Sequence, residues 1–435
     1  MKNFRQSILI FGDIVLAYIS LLLTVLLGFW NNFSWQILWQ HILPFTFLYF
    51  FWFIILYIFE LYNLTLIKPK IEFITRLGES SLTCLIIGAV FFYSIPFFGI
   101  TPKTNLLINT VIFTLLLFLW RRLFYYLFSS LYFQKVAFLG KNPLAVKLAK
   151  QIESNPQIGY KFFKFLDSRK PLLPQLRNKK IGLLIITQEL FSNKKISQEL
   201  YKCLPLKIEF IDLPQAYEDL FHKIPIDFLN QSWFLRNLRE GEKKIYDKMK
   251  RIEDIIVSGL IVILTSPLWL IFAILIKQED KGPVFYKQKR VGKDNNVFWL
   301  QKFRSMEVNA EKDGAVWAKK EDPRTTKMGR FLRKSHLDEM PQMLNVLKGN
   351  ISIVGPRPER PKFVKKLEKE IPHYHLRHII KPGFTGWAQV KFRYARSIMD
   401  SHEKFQYDLY YIKNRSFLLD LGCLLKTFQI FFKRE

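Results

Sequence analysis

Cysteine is scarce in this chain of 435 residues: Cys84, Cys203 and Cys423 are odd in number and far apart. They allow no disulfide framework and no Cys-x-x-Cys metal pair, which points to soluble parts in a reducing cytosol. Acidic residues are in deficit, with Asp+Glu 36 against Lys+Arg 65, a net charge of +29. Internal repeats and long low-complexity tracts are missing too. Half of the residues are hydrophobic and 16% aromatic, with Phe 42. That content excludes a disordered chain, and an ordinary soluble enzyme rarely combines such charge with such hydrophobicity. A basic, aromatic-rich chain suits nucleic acid, or an anionic membrane surface carrying phosphorylated ligands. The placement of the apolar residues decides between them. Length alone allows about two to four domains of roughly 100–200 residues.

Charge is absent from Ile42–Phe59, Ser80–Thr101 and Thr104–Trp120, and Ser7–Trp30 carries only Asp13. Each run approaches the roughly 20 residues that cross a bilayer. No cleavage site follows the first run, so it does not read as a removable signal. Lys2, Arg5, Lys68, Lys70, Arg76, Arg121 and Arg122 fall on one side of these runs, and only Lys103 on the other. The positive-inside rule then predicts a four-helix transmembrane bundle over residues 1–128 with both ends in the cytoplasm. Asp13 lies about one to two turns inside the membrane edge. An interfacial, structural role is the expectation for it, with function as the alternative.

Beyond residue 133 the pattern alternates. Lys135–Gly140, Ile181–Thr187 and Leu206–Leu213 read as strands and Pro143–Ile152 as a helix, a small Rossmann-like α/β domain over 133–220. A dinucleotide site needs G-x-G-x-x-G after the first strand. Gly140-Lys141-Asn142-Pro143-Leu144-Ala145 lacks the second and third glycines, so a degenerate domain with a structural or regulatory role is expected. Residues 221–243 read as a linker into a C-terminal unit, 244–435. Ile255–Ile276 is 22 residues long and uncharged, with basic residues on both flanks and Ser266-Pro267 at its middle. Proline removes a backbone donor there. A re-entrant helix that leaves on the side it entered accounts for both features, and a kinked span is the alternative.

The chemistry-bearing residues lie in the last third. Val284–Lys289 and Asn296–Phe303 alternate as a hairpin that delivers Lys302 and Arg304. Asp338 and Glu339 precede a helix with Pro341 in its first turn. Adjacent carboxylates behind Arg330, Arg333 and Lys334 suit a site for phosphate and a divalent metal, although spacing alone favours plain helix capping. Pro356 and Pro358 flank Arg357, fixing its backbone and aiming its guanidinium as bidentate phosphate recognition requires. His373, His375 and His378 have no partner at metal spacing and read as surface or interfacial residues. Ser416–Phe432 reads as a helix lying in the membrane interface.

From about Lys250 onward the chain resembles the bacterial sugar transferase family, the monotopic polyprenyl-phosphate phosphoglycosyl transferases. The matching pieces are the Ser266-Pro267 break, Tyr286–Arg290, Lys302–Met306, Asp322–Arg324, Leu337–Glu339, Val354–Pro358 and Pro382–Gln389. With four spans and an α/β domain in front, the whole chain resembles the larger exopolysaccharide-initiating members. The resemblance implies a mixed α/β catalytic domain in the bacterial inner membrane, its active site facing the cytoplasm. It also implies transfer of a sugar 1-phosphate from a UDP-sugar to undecaprenyl phosphate with release of UMP. Asp338 would be the nucleophile of a covalent phosphosugar intermediate and Glu339 a ligand of Mg²⁺. Lys302, Arg333 and Arg357 match the family's basic, phosphate-binding positions. Met340 and Met343 depart from it, where leucine and a larger or aromatic residue are common.

The physical logic agrees. An ionised carboxylate needs no strong base to act as a nucleophile and divides a difficult phosphoryl transfer into two displacements. Mg²⁺ would neutralise the diphosphate it approaches. Rival readings are a single displacement with Asp338 as base, and a non-catalytic scaffold of an export complex. An ordinary nucleotide-sugar glycosyltransferase is disfavoured because no Asp-x-Asp motif occurs. Nucleic acid is disfavoured because so many basic residues flank membrane segments. The lipid bilayer is the expected partner, and a homodimer is compatible with the sequence.

Overall fold

The computed structural model describes residues 2–30, 32–68, 70–94, 103–130, 133–308, 310, 322–392 and 397–432. They fall into two units, Met1–Ala216 and Tyr217–Glu435. Long apolar helices open the first: α1 (Lys2–Gly28), α2 (Trp35–Ile58), α3 (Ile71–Ser94) and α4 (Lys103–Ser130). Residues 95–101 of the third expected span, and the Lys103 side chain, lie outside the described residues. Each of the four is long and apolar enough to cross a membrane, as is one helix of the second unit. Their shared core is rich in aromatics, with Trp52 stacked on Phe113 at 5.5 Å.

Asp13 has the structural role expected of it, inside the protein rather than on its surface. It is fully buried and takes two parallel hydrogen bonds, of 2.6 and 2.8 Å, from Arg121. Arg121, counted above among the charges at the exit of the fourth run, turns inward because a bidentate partner offsets much of the penalty of burying either charge.

The same unit continues through β1 (Gln134–Leu139), α5 (Pro143–Ser154), β2 (Tyr160–Leu166), α6 (Leu172–Leu176), β3 (Ile181–Ile186), α7 (Gln188–Phe191), α8 (Lys194–Lys202) and β4 (Glu209–Asp212). The four strands are parallel in the order β2-β1-β3-β4. Gly140, at φ 95°, ends β1 where a Cβ would come within 2.6 Å of the Thr187 hydroxyl. The Asn142 side chain then caps α5, accepting from the Ala145 amide at 2.8 Å. A side chain thus takes the helix start that a glycine-rich turn leaves open to phosphate. Arg5 of α1 donates to the carbonyls of Phe128 (2.9 Å) and Gln157 (3.2 Å), tying the helices to the sheet region.

Helix α9 (Leu213–Phe221) leads into the second unit, which contains α10 (Gln231–Asn237), α11 (Lys244–Asp280), β5 (Phe285–Val291), β6 (Val297–Phe303), α12 (Lys327–Lys334) and α13 (Gln342–Leu347). It ends with β7 (Ser352–Val354), α14 (Pro361–Glu370), β8 (Gly383–Thr385), α15 (Trp387–Lys391), α16 (Ile398–Asn414) and α17 (Phe417–Phe432). Strands β5 and β6 form an antiparallel hairpin; β7 and β8 pair in parallel. Residues 221–243 are not a linker. Ile224, Ile226, Trp233 and Phe234 are buried in one core with Val354, Leu409 and Tyr411, and their polar sequence neighbours conceal them. Nor does α17 simply lie on a surface: Asp420 is buried, accepting from Tyr411 (2.7 Å) and Tyr246 (2.6 Å).

Helix α11 runs unbroken for 37 residues with Pro267 inside, about 55 Å if straight. Proline leaves the carbonyl four residues back without its usual donor. That carbonyl belongs to Ile263, and the Ser266 hydroxyl donates to it at 2.9 Å. Arg251 caps the carbonyls of Val346 and Leu347, both at 2.6 Å. The buried Asp254 accepts from the Ser352 hydroxyl and the Ile353 amide. At the far end Phe272 and Ile276 pack against Phe303 and Leu332, and Glu279 accepts from the Met328 amide. Both ends of α11 therefore rest on one unit, while Ile263, Leu264 and Leu270 in its middle are at least 70% exposed.

Candidate active site

The hairpin sets the first side of the site. Phe285 faces Phe303 across the ladder and stacks on it at 5.4 Å, and Phe303 also meets Trp269 and Phe272 of α11 edge-on. Because side chains alternate along a strand, Lys302 must then point to the opposite face. The second side is a 3₁₀ turn, Leu337–Glu339, entered through His336 at φ 55°. Leu337 and Met340 pack on the cluster formed by Phe272, Phe303 and Leu332, so the two carboxylates between them project away from it. The third side is the loop after β7, which carries Arg357.

Lys302 and Arg357 converge on Glu339. The Glu339 Oε1 accepts from Lys302 Nζ at 2.5 Å and from Arg357 at 2.6 Å, and Oε2 from Arg357 at 3.4 Å. Asp338 is only 8% exposed, yet none of the described residues donates a hydrogen bond to it. The neighbours therefore differ in proton affinity. Burial pushes Asp338 up, helped by the Glu339 charge and opposed by Lys302, Arg333 and His336. Burial works on Glu339 in the same sense, but Arg357 and Lys302 outweigh it and hold that carboxyl well below the usual range. One carboxylate is spoken for; the other keeps free oxygens.

The helix-capping alternative does not hold. Helix α13 starts one turn later, after Pro341, and no side chain caps it. For the same reason the pair does not stand at a helix N-terminus as its sequence position suggests. Arg333, half-buried, has no carboxylate partner among the described residues and acts on Asp338 through charge. Arg304 departs from expectation: its guanidinium is buried under the end of α11, donating to the Ile276 carbonyl at 3.4 Å. Gly282 leaves it room, since a Cβ there would lie 1.8 Å from Arg304. Ser266 and Pro267 lie within the continuous helix α11 and not in this cluster. Met340 and Met343 occupy apolar positions, as their replacements of other apolar residues require.

Asp322 grips Arg324 through both oxygens, at 2.8 and 2.6 Å; this hydrogen bonding pulls its carboxyl down to about 2. His378 is buried, not superficial, and desolvation pushes its imidazole down to about 3. Among the described residues no group of three His, Cys, Asp or Glu could hold a metal. A Mg²⁺ carried by substrate phosphates needs only one or two protein carboxylates. Asp338 has oxygens to offer such an ion, and Glu339 would give up a cationic partner to join it. Sequence reasoning missed Arg377 and Asp408, a buried pair at 3.0 Å behind the Arg357 loop. Their one signal was an arginine among histidines, in a stretch read as surface.

Residues 245–434 match the family model for bacterial sugar transferases. The chain is 43% identical over 228 residues to the UDP-N-acetylgalactosamine-undecaprenyl-phosphate N-acetylgalactosaminephosphotransferase of Aeromonas hydrophila, covering 52% of this chain and 53% of that protein. It is 32% identical over 326 residues to the UDP-glucose:undecaprenyl-phosphate glucose-1-phosphate transferase of Xanthomonas campestris pv. campestris, covering 68% and 66%. A protein of that same name from Caulobacter vibrioides is 34% identical over 224 residues, covering 50% of this chain and 84% of its own length. The match thus spans about half of the Aeromonas relative and about five sixths of the Caulobacter one. The chain belongs to the bacterial sugar transferase family.

Proposed function

We propose that the protein transfers a sugar 1-phosphate from a UDP-sugar to undecaprenyl phosphate, releasing UMP, at the start of a surface-polysaccharide pathway. The observation that carries this reading is the inequality of the adjacent acids: Glu339 saturated by two cations, Asp338 buried with free oxygens. An oxygen of Asp338 attacks the sugar-bearing phosphorus, and the bond from that phosphorus to UMP breaks, the electron pair leaving with UMP. A phosphate oxygen of the lipid then attacks the same phosphorus, and the bond to Asp338 breaks to regenerate the carboxylate. Raised proton affinity makes Asp338 the better nucleophile of the pair. Lys302, Arg333 and Arg357 bring positive charge to the diphosphate, where preorganised charge stabilises the transferring group most. Mg²⁺, with Glu339 as its protein ligand, would add further neutralisation of that diphosphate.

The relatives' names divide between N-acetylgalactosamine and glucose, so the direct test is UMP release from a panel of UDP-sugars by the purified protein. A phosphosugar adduct on Asp338, trapped without the lipid acceptor, separates double from single displacement. Turnover with no trappable adduct removes the covalent step. We further propose that α1 to α4 span the membrane and that α11 re-enters it, with the site on the cytoplasmic side where nucleotide sugars are made. Support comes from the loop charges and from both ends of α11 resting on one unit. Single cysteines at Gly241 and Asp294, in a cysteine-free background, should then label only from the cytoplasm. Periplasmic labelling at position 294 overturns the topology.

A further inference from the structure

The loop that carries Arg357 has an unusual constraint. Pro356 and Pro358 have no N–H, so the loop can be held mainly by its carbonyls. Four consecutive carbonyls are in fact held, each by a donor from elsewhere in the same unit. Pro356 accepts from the Gly383 amide at 2.9 Å and Glu359 from the Val291 amide at 2.9 Å. The two between them, at the arginine itself and the residue after it, are taken by side chains. Arg377 donates to the Arg357 carbonyl at 2.9 Å, and Arg290 to the Pro358 carbonyl at 2.8 Å.

Both donors are themselves fixed. Arg377 is 4% exposed and pairs with the buried Asp408 at 3.0 Å, while its other terminal nitrogen donates to the Tyr374 hydroxyl. Arg290 lies 3.6 Å from the Glu359 carboxylate, which Lys404 also approaches at 3.6 Å. A buried ion pair seldom stabilises a fold more than an apolar pair of equal volume would. A planar guanidinium with fixed donor directions does, however, set the position of whatever it binds. Arg377 touches no atom of Glu339 or Asp338 in the contacts described above, so its influence on them must pass through the Arg357 backbone.

We infer that Arg377, oriented by Asp408 and Tyr374, is a positioning residue that aims Arg357 at Glu339 and at the phosphate groups of a nucleoside diphosphate sugar, with Arg290 as a second brace. The inference rests on the proposed transfer for its ligand, but its geometry can be tested separately. In the full-length protein, Arg377→Met and the milder Asp408→Asn should speed amide exchange in the peptide covering 354–360, leaving the hairpin 285–303 unchanged. In kinetics, Arg377→Met should lower kcat/KM for the UDP-sugar on the order of 10- to 100-fold, the range expected when a catalytic group is misplaced by about 1 Å. Arg377→Lys, which keeps one donor, should recover part of that loss. In an Arg357→Lys background, Arg377→Met should cost less than about twofold more, because its route of action is already cut. Losses that multiply in the double variant, or exchange at 354–360 that stays native in both single variants, overturn the inference. Wild-type protein that releases UMP from no donor sinks the proposed function instead, and the exchange result then decides the positioning role on its own.

Discussion

Asp13 and Glu339 are both carboxylates packed against an arginine, but their neighbourhoods differ in count. In the first unit one acid meets one base: both oxygens of Asp13 are taken by two nitrogens of Arg121. In the second unit two adjacent acids meet Lys302 and Arg357, and both cations go to Glu339. The first arrangement is closed, and removing either partner alone leaves the other charge buried without one. The second is open, because Asp338 keeps its oxygens while its neighbour fixes the cations around it. A closed pair is suited to holding helices together; an open one is suited to accepting a ligand of opposite character.

Replacing the open acid breaks the comparison most sharply. Asp338→Asn should lower turnover at least about 10³-fold, as removal of a nucleophile does, and abolish the adduct. Its melting temperature should stay level or rise, because a buried carboxylate without donors gains nothing from its charge. Glu339→Gln should behave differently on both counts. Activity should fall about 10²-fold through displaced Lys302 and Arg357. Stability should fall by about 2 kcal/mol as two cations lose a charged acceptor. Equal stability losses in the two variants would show that the pair is not divided as described.

The closed pair should reverse this pattern. Asp13→Asn leaves the Arg121 charge buried and should destabilise the first unit by about 3–5 kcal/mol. Turnover per folded molecule should not change. A double Asp13→Leu, Arg121→Leu variant should regain most of the stability, since apolar groups of similar volume often replace a buried pair at no loss. Measured by thermal unfolding in detergent, a stable Asp13→Asn protein with impaired turnover would give Asp13 the functional role that its position alone left open.

How much of this was legible differs between the two regions for the same reason. Charge-free runs announce α1 to α4, because a helix able to cross a bilayer is constrained in both length and composition. The hairpin was readable from alternation, and Lys302 and Arg357 stood out as phosphate-binding candidates, but their convergence on Glu339 was not readable. What escaped were contacts between residues far apart in sequence: Arg121 turning inward to Asp13, Arg304 buried under α11, Arg377 behind Arg357. Residues 221–243 escaped because Ile224, Ile226, Trp233 and Phe234 are scattered among polar residues with no period. A chain beginning at Gly241 would delete these four core side chains. One beginning at Tyr217 should keep them and unfold at a distinctly higher temperature. Similar stability of the two would return that segment to the status of a linker.

The smallest expected effect concerns pH, and it tests the inequality of the two acids without removing either. Asp338's carboxyl is raised by burial, so activity that requires its ionised form is lost as pH falls through that raised value. The acid limb of kcat/KM should therefore lie above the ordinary aspartate range of about 3.9. The signs for stability are opposite. Asp338's contribution is present at low pH and lost as pH rises through its raised value. Glu339, held low by Arg357 and Lys302 against its burial, contributes above about 4.3, the ordinary glutamate value, and loses that contribution as pH falls towards its depressed one. Arg333 lowers Asp338 by charge alone, without a contact to either acid, so Arg333→Gln is the cleanest perturbation. It should move the acid limb to higher pH while leaving the Glu339 cluster intact. A limb that moves down, or that stays put in Arg333→Gln, would mean that a group other than Asp338 sets it.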